Sequence, residues 1–179
     1  MFGSSSRIWG ISLVSRPDLA RPRAWLFPIT AAALFSALVV AMGATTSVTG
    51  GWYDRLALPA WAPGDQLYAM GWTLAYGLGA MALLTAWRAM PAGEGEGLLG
   101  LFAGAGLLTI GWSHLFFYYH RPDWALYAIG ALCLMAVLLI AYCARRSLVA
   151  VVMLVPYLGW LSFLALFNMA VVQLNPAFG

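Results

Sequence analysis

Long apolar stretches separated by short polar connections dominate the pattern along this chain. Five of them are each close to the roughly 20 residues that a helix needs to cross a bilayer. No alternation typical of lipid-facing strands competes with them. The pattern therefore predicts an all-α integral membrane fold, a five-transmembrane-helix bundle. The predicted spans are Ala24 to Val48, Gln66 to Trp87, Leu98 to Tyr119, Trp124 to Ala144 and Ser147 to Leu174.

The composition indicates the same class of protein. Of the 179 residues, 63% are hydrophobic and 8% are charged, whereas a soluble domain has about 25% charged residues. The polar, arginine-bearing residues 1–23 are predicted to be an N-terminal tail, and residues 24–179 a single membrane domain. The net charge of +3 is spread over the ends of the apolar stretches. Because no contiguous basic face results, nucleic acid is excluded as a partner.

The positions of the arginines predict the topology. Cytoplasmic loops carry an excess of basic residues, and a cytoplasmic N-terminus would leave only Arg55 and Arg121 on the outside. We therefore predict a cytoplasmic N-terminus in a bacterial cytoplasmic or intracytoplasmic membrane. The inside arginines would be Arg7, Arg16, Arg21, Arg23, Arg88, Arg145 and Arg146.

The connections between the stretches differ in character. The residues from Gly51 to Tyr76 are rich in tryptophan and tyrosine, whose rings are best placed where an apolar region meets a wet one. We predict a folded cap at the membrane interface that enters the second helix near Gln66, with an ordinary aromatic belt as the alternative. The glycine-rich residues from Pro91 to Gly97 predict a flexible turn.

Polar chemistry within the predicted spans is sparse. No charged residue lies deep in any of them, which argues against an ion pump or a proton-coupled carrier. No nucleophile is accompanied by a base and an orienting acid, so no catalytic residue is predicted. An aromatic cavity with few hydrogen-bonding groups suits a flat, hydrophobic ligand. The polar side chains are Thr73, Thr109, Ser113, His114, Tyr157, Ser162 and Asn168.

His114 has two interpretations. A neutral imidazole in an apolar environment can ligate the metal of a tetrapyrrole, or donate a hydrogen bond to a ligand carbonyl. A single histidine in a membrane helix more commonly bonds a neighbouring helix. No other metal ligand is predicted. His120, beside Arg121 at a helix end, is expected at the interface.

Several aromatic motifs occur in a defined order along the chain. In order and spacing they resemble the translocator protein / tryptophan-rich sensory protein (TspO/MBR) family, over roughly residues 26–175. The motifs are Gly51-Trp52-Tyr53-x-x-Leu56-x-x-Pro59-x-Trp61-x-Pro63, Trp72-Thr73-x-x-Tyr76, Trp112-Ser113-x-x-Phe116-Phe117, Pro156-Tyr157-Leu158-x-Trp160, and Asn168 with Leu174-Asn175.

The resemblance implies a five-helix bundle, usually dimeric in bacteria, with a cavity under the connection between the first two helices. Members of the family bind porphyrins, and some bind sterols or benzodiazepine-type drugs. Some bacterial members are reported to degrade protoporphyrin IX in light, and the tryptophans implicated correspond to Trp72 and Trp160 here.

The third span departs from the family pattern. Where the family has glutamine, asparagine and proline, this chain has Ala105, Thr109 and His114. Two amides that could reach a ligand are therefore absent. Because polar groups at a site discriminate strongly between ligands, we expect a specificity that differs from that of the family.

These observations predict a membrane binding protein, sensor or regulator with an aromatic cavity for a porphyrin-type tetrapyrrole or a similar hydrophobic ligand. No cofactor is required. The expected lid residues are Trp52, Tyr53 and Trp61, and the expected polar anchors are Asn168 and His114. The expected stacking walls are Trp72, Tyr76, Trp112, Phe116, Tyr157 and Trp160.

Two other functions stay open. The chain could be a non-catalytic subunit of a larger membrane pigment–protein complex, in which the fold is kept for packing. It could also be a light-dependent porphyrin-degrading enzyme that uses Trp72 and Trp160, which ranks lower because the cavity has no general acid or base. The expected partners are membrane lipid, a hydrophobic small molecule, and either a second copy of the chain or a larger complex.

Overall fold

A computed structural model describes Thr30, Ala31, Leu34, Ala37, residues 51–91 and residues 95–178 of the chain. Within these residues the regular structure is helical and contains no strand. The predicted tail at residues 1–23 and most of the first predicted span lie outside the described residues. Of that span, Thr30, Ala31, Leu34 and Ala37 are helical.

Four long helices account for most of the described chain. Each is apolar and long enough to cross a membrane. In an apolar environment the backbone can form hydrogen bonds only with itself, so a long apolar stretch forms a helix. They confirm four of the five predicted spans, and their ends lie within three residues of the prediction when the π-helical turn that extends α2 to Tyr118 is included. The fifth span is not confirmed. The helices are α1 (Asp65–Ala89), α2 (Gly95–Ser113), α3 (Pro122–Ala144) and α4 (Leu148–Leu174).

The packing order of the helices differs from their order in the chain. Helix α4 packs extensively against both α1 and α3, and α3 packs against α2, whereas α1 and α2 touch only sparingly. Residues of the first predicted span lie at the α2 side of this gap, where the Thr30 hydroxyl donates to the carbonyl oxygen of Leu99 at 3.4 Å. Leu34 lines a cavity together with Ala75 and Phe102. Thr30 and Leu34 therefore lie beside the gap between α1 and α2.

The glycine-rich connection before α2 corrects one expectation. We predicted a flexible turn up to Gly97, but α2 already begins at Gly95. A Cβ atom on Gly95 would come within 2.6 Å of the Trp87 ring, and one on Gly97 within 2.7 Å of the Tyr142 hydroxyl. These glycines serve close packing at the start of a helix, which glycine content alone does not distinguish from flexibility.

Helix α2 does not end regularly. It continues into a π-helical turn, His114–Tyr118, in which the Tyr119 amide donates to the His114 carbonyl at 2.9 Å. The chain then reverses at His120, which has a φ of 54°, a left-handed conformation that histidine tolerates better than branched residues do. Pro122 begins α3 at the position that helices favour for proline.

Candidate functional site

Aromatic side chains from three helices meet at one end of the bundle. We call the set Tyr68, Trp72, Trp112, Phe116, Phe117 and Trp160 the aromatic cluster. Its centre is Trp72, whose ring centroid lies 5.9 Å from that of Trp112 and 6.3 Å from that of Trp160. Tyr68 meets Trp160 edge to face at 6.0 Å. Such tilted and edge-to-face arrangements are the favoured ones for aromatic pairs.

Helical spacing explains how α1 supplies its part of the cluster. Tyr68, Trp72 and Tyr76 are four residues apart, so they lie on one face of the helix. Tyr76 stacks on Trp72 with a centroid distance of 5.5 Å and an interplanar angle of 27°. Gly71 also faces this region, because a Cβ atom there would overlap the Trp160 ring. Glycine at position 71 therefore lets Trp160 approach α1.

Asn168, on α4, forms hydrogen bonds to two other helices, α2 and α3. Its side-chain oxygen accepts a hydrogen bond from the Trp112 indole nitrogen at 3.1 Å. Its amide nitrogen donates to the carbonyl oxygen of Pro122 at 2.7 Å. Asn168 is fully buried, so both bonds lie away from water. This side chain links α4 to α2 and to the start of α3, and it fixes the orientation of Trp112.

Several buried polar atoms around the cluster have no hydrogen-bond partner of good geometry among the residues that the structure describes. They are the hydroxyl groups of Tyr68, Tyr76 and Ser113 and the indole nitrogens of Trp72 and Trp160. Buried polar groups normally find partners, because leaving one unpaired costs about 1–3 kcal/mol. Four of these five atoms belong to ring side chains that touch one another. The region can therefore satisfy a ligand that accepts hydrogen bonds.

A cavity of about 170 Å³ adjoins the cluster. It lies among α1, α2, α3, α4 and the first predicted span, and Tyr76 and Tyr157 are its polar wall residues. Binding sites for drug-sized ligands have volumes of roughly 300–1,000 Å³, so this space alone is smaller than such a site. The other lining residues are apolar: Leu34, Ala75, Gly79, Ala80, Phe102, Ala105 and Leu139.

The residues between Gly51 and Gly64 cover the outer end of the cluster, and we call them the interfacial loop. Gly51 has a φ of 83°, a conformation that glycine adopts freely. A single 3₁₀ turn, Tyr53–Arg55, follows. Trp52 stacks on His120 at 4.3 Å and meets Phe116 edge to face at 6.1 Å. The loop is thus held by rings on its inner side.

The other two predicted lid residues differ in burial. Tyr53 is half-buried and packs on Phe117, with ring centroids 6.2 Å apart. Burial, with a smaller contribution from the Asp65 carboxylate, raises the pKa of Tyr53 to about 12. The phenol of Tyr53 therefore stays protonated at a pH at which an exposed tyrosine ionises. The stability that the buried, protonated phenol provides is intact below about pH 10 and is lost as the pH rises from about 10 to about 12. Trp61 is 48% exposed and lies edge-on to Phe163.

Asn175, just after α4, holds the interfacial loop by two opposed hydrogen bonds. Its side-chain oxygen accepts from the Ala57 amide at 2.9 Å, and its amide nitrogen donates to the Ala57 carbonyl at 3.0 Å. The same nitrogen also contacts the carbonyl oxygen of Val171 at 2.7 Å. One side chain thereby pairs with both backbone groups of a loop residue, as a neighbouring strand would.

We expect Asn175→Ala to loosen the interfacial loop without unfolding the bundle. Two partly exposed hydrogen bonds are lost, each worth about 1 kcal/mol, so local opening of the loop should become roughly 5- to 30-fold more frequent. Amide hydrogen exchange at Ala57 measures this directly. The amides of α3 serve as an internal control, and equal protection of Ala57 in both proteins would contradict the assigned latch.

The structure brings together most of the predicted site residues. Trp72, Trp112, Phe116 and Trp160 form the core of the cluster, and Tyr76 and Tyr157 line the adjoining cavity. Trp52, Tyr53 and Trp61 lie on the interfacial loop that covers them, and Asn168 accepts a hydrogen bond from Trp112. His114 does not join this group, because it lies on the exposed face of α2. Most of the predicted wall residues pack directly against one another, whereas the prediction had them lining an open cavity.

Sequence reasoning missed three contributors to the site. Tyr68 and Phe117 are members of the cluster, and Gly71 gives Trp160 its space. The four-residue spacing from Tyr68 to Trp72 was a usable signal for the first. No local pattern indicated that Gly71 would meet a tryptophan that lies 89 positions later in the chain.

Comparison with known proteins agrees with this architecture. The family model described as the TspO/MBR family matches residues 29–174. The Tryptophan-rich protein TspO of Chlorobaculum tepidum is 36% identical over 70% of this chain and 80% of its own length. Protein CrtK of Rhodobacter capsulatus is 28% identical over 83% of this chain and 94% of its own.

Similarity extends to animal proteins. The Translocator protein of Ovis aries is 30% identical over 69% of this chain and 75% of its own length. The family match covers the four apolar helices, the interfacial loop and every residue of the aromatic cluster. This membrane protein therefore belongs to the TspO/MBR family.

Proposed function

We propose that this protein is a membrane-embedded sensor or regulator that binds a flat hydrophobic ligand, of the porphyrin type, at the aromatic cluster. The ligand's rings would stack on Trp72 and Trp160, and its polar substituents would accept hydrogen bonds. Membership of the TspO/MBR family and the similarity to proteins named for tryptophan richness support this direction.

The unpaired ring donors carry the proposal. The indole nitrogens of Trp72 and Trp160 and the hydroxyls of Tyr68 and Tyr76 are buried in one connected group of rings, and none of them makes a hydrogen bond of good geometry to a described residue. The Tyr68 hydroxyl lies near Trp72 and the Tyr76 hydroxyl near Thr109, so these donors can turn from weak internal contacts to a ligand. A purely structural cluster gains nothing from four such atoms, because each lowers its stability. A ligand with acceptor atoms would satisfy them. A porphyrin carries both stacking surface and carboxylates, which matches this combination.

Binding must involve movement of the interfacial loop. The adjoining cavity of about 170 Å³ falls short of the roughly 300 Å³ at the lower end of small-molecule sites. The lid rings are held by stacking and by the Asn175 pair, contacts that can be broken one at a time. We expect ligand entry to displace the loop and to turn cluster rings outward, so that access is coupled to loop opening.

Metal-free protoporphyrin IX tests the proposal. Titration into the protein in lipid nanodiscs should quench tryptophan fluorescence saturably, and Trp72→Phe and Trp160→Phe should each weaken binding by about tenfold. Each replacement removes one unpaired donor and part of the stacking surface. Trp87→Phe is the matched control, because Trp87 packs against Gly95 at the opposite end of α1. Equal protoporphyrin IX affinity in the unaltered protein and in all three variants would refute binding at the aromatic cluster.

The same samples separate binding from breakdown. A binding protein leaves porphyrin absorbance constant under illumination in air. A light-dependent loss of absorbance that disappears in Trp160→Phe would replace the binding proposal with photochemical degradation.

A further inference from the structure

An open apolar groove lies where α2 ends and α3 begins. It has a volume of about 460 Å³ and is lined by Leu115, Trp124, Tyr127 and Ala128. The three α3 residues are three and four positions apart, so they share one face of that helix. Trp124 is 59% exposed and Tyr127 is 81% exposed. Because both helices are apolar and long enough to cross a membrane, this groove opens towards lipid.

An ion pair lies at one end of the groove. The Arg121 Nε atom donates to Asp123 Oδ1 at 2.9 Å, and a second guanidinium nitrogen donates to Oδ2. The Arg121 amide donates to the carbonyl oxygen of Leu115 at 2.9 Å. The guanidinium carbon lies 5.5 Å from the centre of the Trp124 ring. Arg121 is therefore held against groove residues from both sides of the groove.

The surroundings of the ion pair are typical of a boundary between membrane and water. Tyrosine and tryptophan concentrate at the level of the lipid head groups, and Tyr118 and Tyr119 are exposed beside the pair. Towards the middle of the membrane helix, the same face of α3 carries the exposed apolar residues Ala131 and Leu138. A charged end followed by an apolar path matches the two parts of a phospholipid.

Both charges of the pair are accessible to a further partner. The side chain of Arg121 is 51% exposed and that of Asp123 is 23% exposed. A guanidinium group has five N–H donors, and Asp123 accepts two of them, so the pair leaves three unused. An exposed ion pair contributes little to stability by itself. It does present a positive and a negative charge side by side.

Adjacent charges of opposite sign discriminate between lipid head groups. Arginine binds phosphate through several N–H groups at once. A head group with only a negative charge would also meet the Asp123 carboxylate, which repels it. The quaternary ammonium of phosphocholine has no N–H to donate, whereas the primary ammonium of phosphoethanolamine donates as a lysine does. Phosphoethanolamine therefore complements both Arg121 and Asp123.

We propose that this groove binds one phospholipid with a phosphoethanolamine head group. The phosphate accepts hydrogen bonds from Arg121, the ammonium group donates to Asp123, and one acyl chain lies in the groove against Leu115 and Tyr127. The lipid site shares no residue with the aromatic cluster. It is therefore independent of the ligand proposed for the cluster, and either site can fail its test without the other.

Native mass spectrometry tests the head group. The protein is placed in nanodiscs that contain equal amounts of phosphatidylethanolamine, phosphatidylcholine and phosphatidylglycerol with identical acyl chains, and is then released from them. We expect one phosphatidylethanolamine molecule to be retained about fivefold more often than either other lipid, which is the effect that one partly exposed ion pair supports.

Three variants assign the preference to the ion pair. Arg121→Gln should abolish it, because the phosphate loses its donor. Asp123→Asn keeps that donor and removes the acceptor for the ammonium, so phosphatidylglycerol should be retained at least as well as phosphatidylethanolamine. Arg55→Gln is the matched control, because Arg55 is exposed on the interfacial loop at the same end of the bundle, and it should leave the preference unchanged. Unchanged thermal unfolding of Arg121→Gln shows that its fold is retained.

Three results would overturn the proposal. Equal retention of the three lipids by the unaltered protein means that only unspecific surrounding lipid is bound. Stronger retention of phosphatidylglycerol means an anionic lipid site. An undiminished preference for phosphatidylethanolamine in Arg121→Gln means that the lipid lies elsewhere.

A photoreactive lipid locates the acyl chain. Phosphatidylethanolamine with a diazirine in one acyl chain should, on illumination in nanodiscs, label α3 between Tyr127 and Leu138, and the labelling should fall in Arg121→Gln. The outer face of α4 at Val152 and Val155 is the control surface, because it is equally apolar and exposed. Equal labelling of the two surfaces would contradict a site in the groove.

Discussion

Replacing Gly71 by alanine is expected to drive Trp160 out of the aromatic cluster. A Cβ atom at position 71 would overlap the Trp160 ring, and the helix backbone on which it is built cannot retreat far. Overpacking of this kind costs about 1–3 kcal/mol. We expect a lower thermal unfolding temperature and altered tryptophan emission. We also expect a roughly tenfold loss of protoporphyrin IX affinity, because Trp160 is proposed to give the ligand stacking surface and a hydrogen-bond donor.

Gly77→Ala is the matched control for that prediction. Gly77 is in the same helix, is exposed, and has no atom of a described residue within 4 Å of a Cβ built on it. Alanine is the better helix former by about 1 kcal/mol, so this variant should be as stable as the unaltered protein or more so. Adding Trp160→Leu to Gly71→Ala should recover part of the stability. If Gly71→Ala and Gly77→Ala unfold at the same temperature, Gly71 and Trp160 do not meet.

Asn168→Ala is expected to be the most destabilising polar replacement in the bundle. It leaves the buried Trp112 indole nitrogen without its acceptor and removes the link to Pro122. An unpaired buried donor costs about 1–3 kcal/mol, and the lost second bond adds about 1 kcal/mol. We therefore expect a loss of roughly 2–4 kcal/mol in the free energy of unfolding in detergent.

A double-mutant cycle separates the Trp112 bond from the rest of the effect. Trp112→Phe removes the donor, so adding Asn168→Ala to it should cost less than Asn168→Ala alone costs. Coupling of at least about 0.5 kcal/mol is expected for residues in one hydrogen-bond network. Additive effects within error would mean that Asn168 acts only through Pro122 and through packing.

Helix positions were predictable because each span is one uninterrupted apolar stretch. The predicted segment from Trp124 to Ala144 corresponds to α3, Pro122–Ala144, with the same final residue. The start of α2 was predicted three residues late, at Leu98, because glycines that pack against Trp87 and Tyr142 look like a flexible turn in sequence. The first predicted span is described only at Thr30, Ala31, Leu34 and Ala37.

The aromatic cluster was predictable in its residue types and less so in its geometry. Motif spacing placed Trp72 and Tyr76 on one face of a helix, and the structure stacks them. That Asn168 would reach both Trp112 and Pro122 depends on three helices meeting. Pairing of Asn175 with Ala57 joins residues 118 positions apart. Neither contact has a local signature in the sequence.

What the sequence determined by itself is local: apolar length sets which segments become membrane helices, and four-residue spacing sets which rings share a face. Tertiary structure decided how those faces combine. The sparse contact between the consecutive helices α1 and α2, the tight ring packing around Trp72 and the exposure of His114 all depend on the rotation and neighbours of each helix. Similar apolar faces pack in several ways, and only contacts between distant residues select one of them.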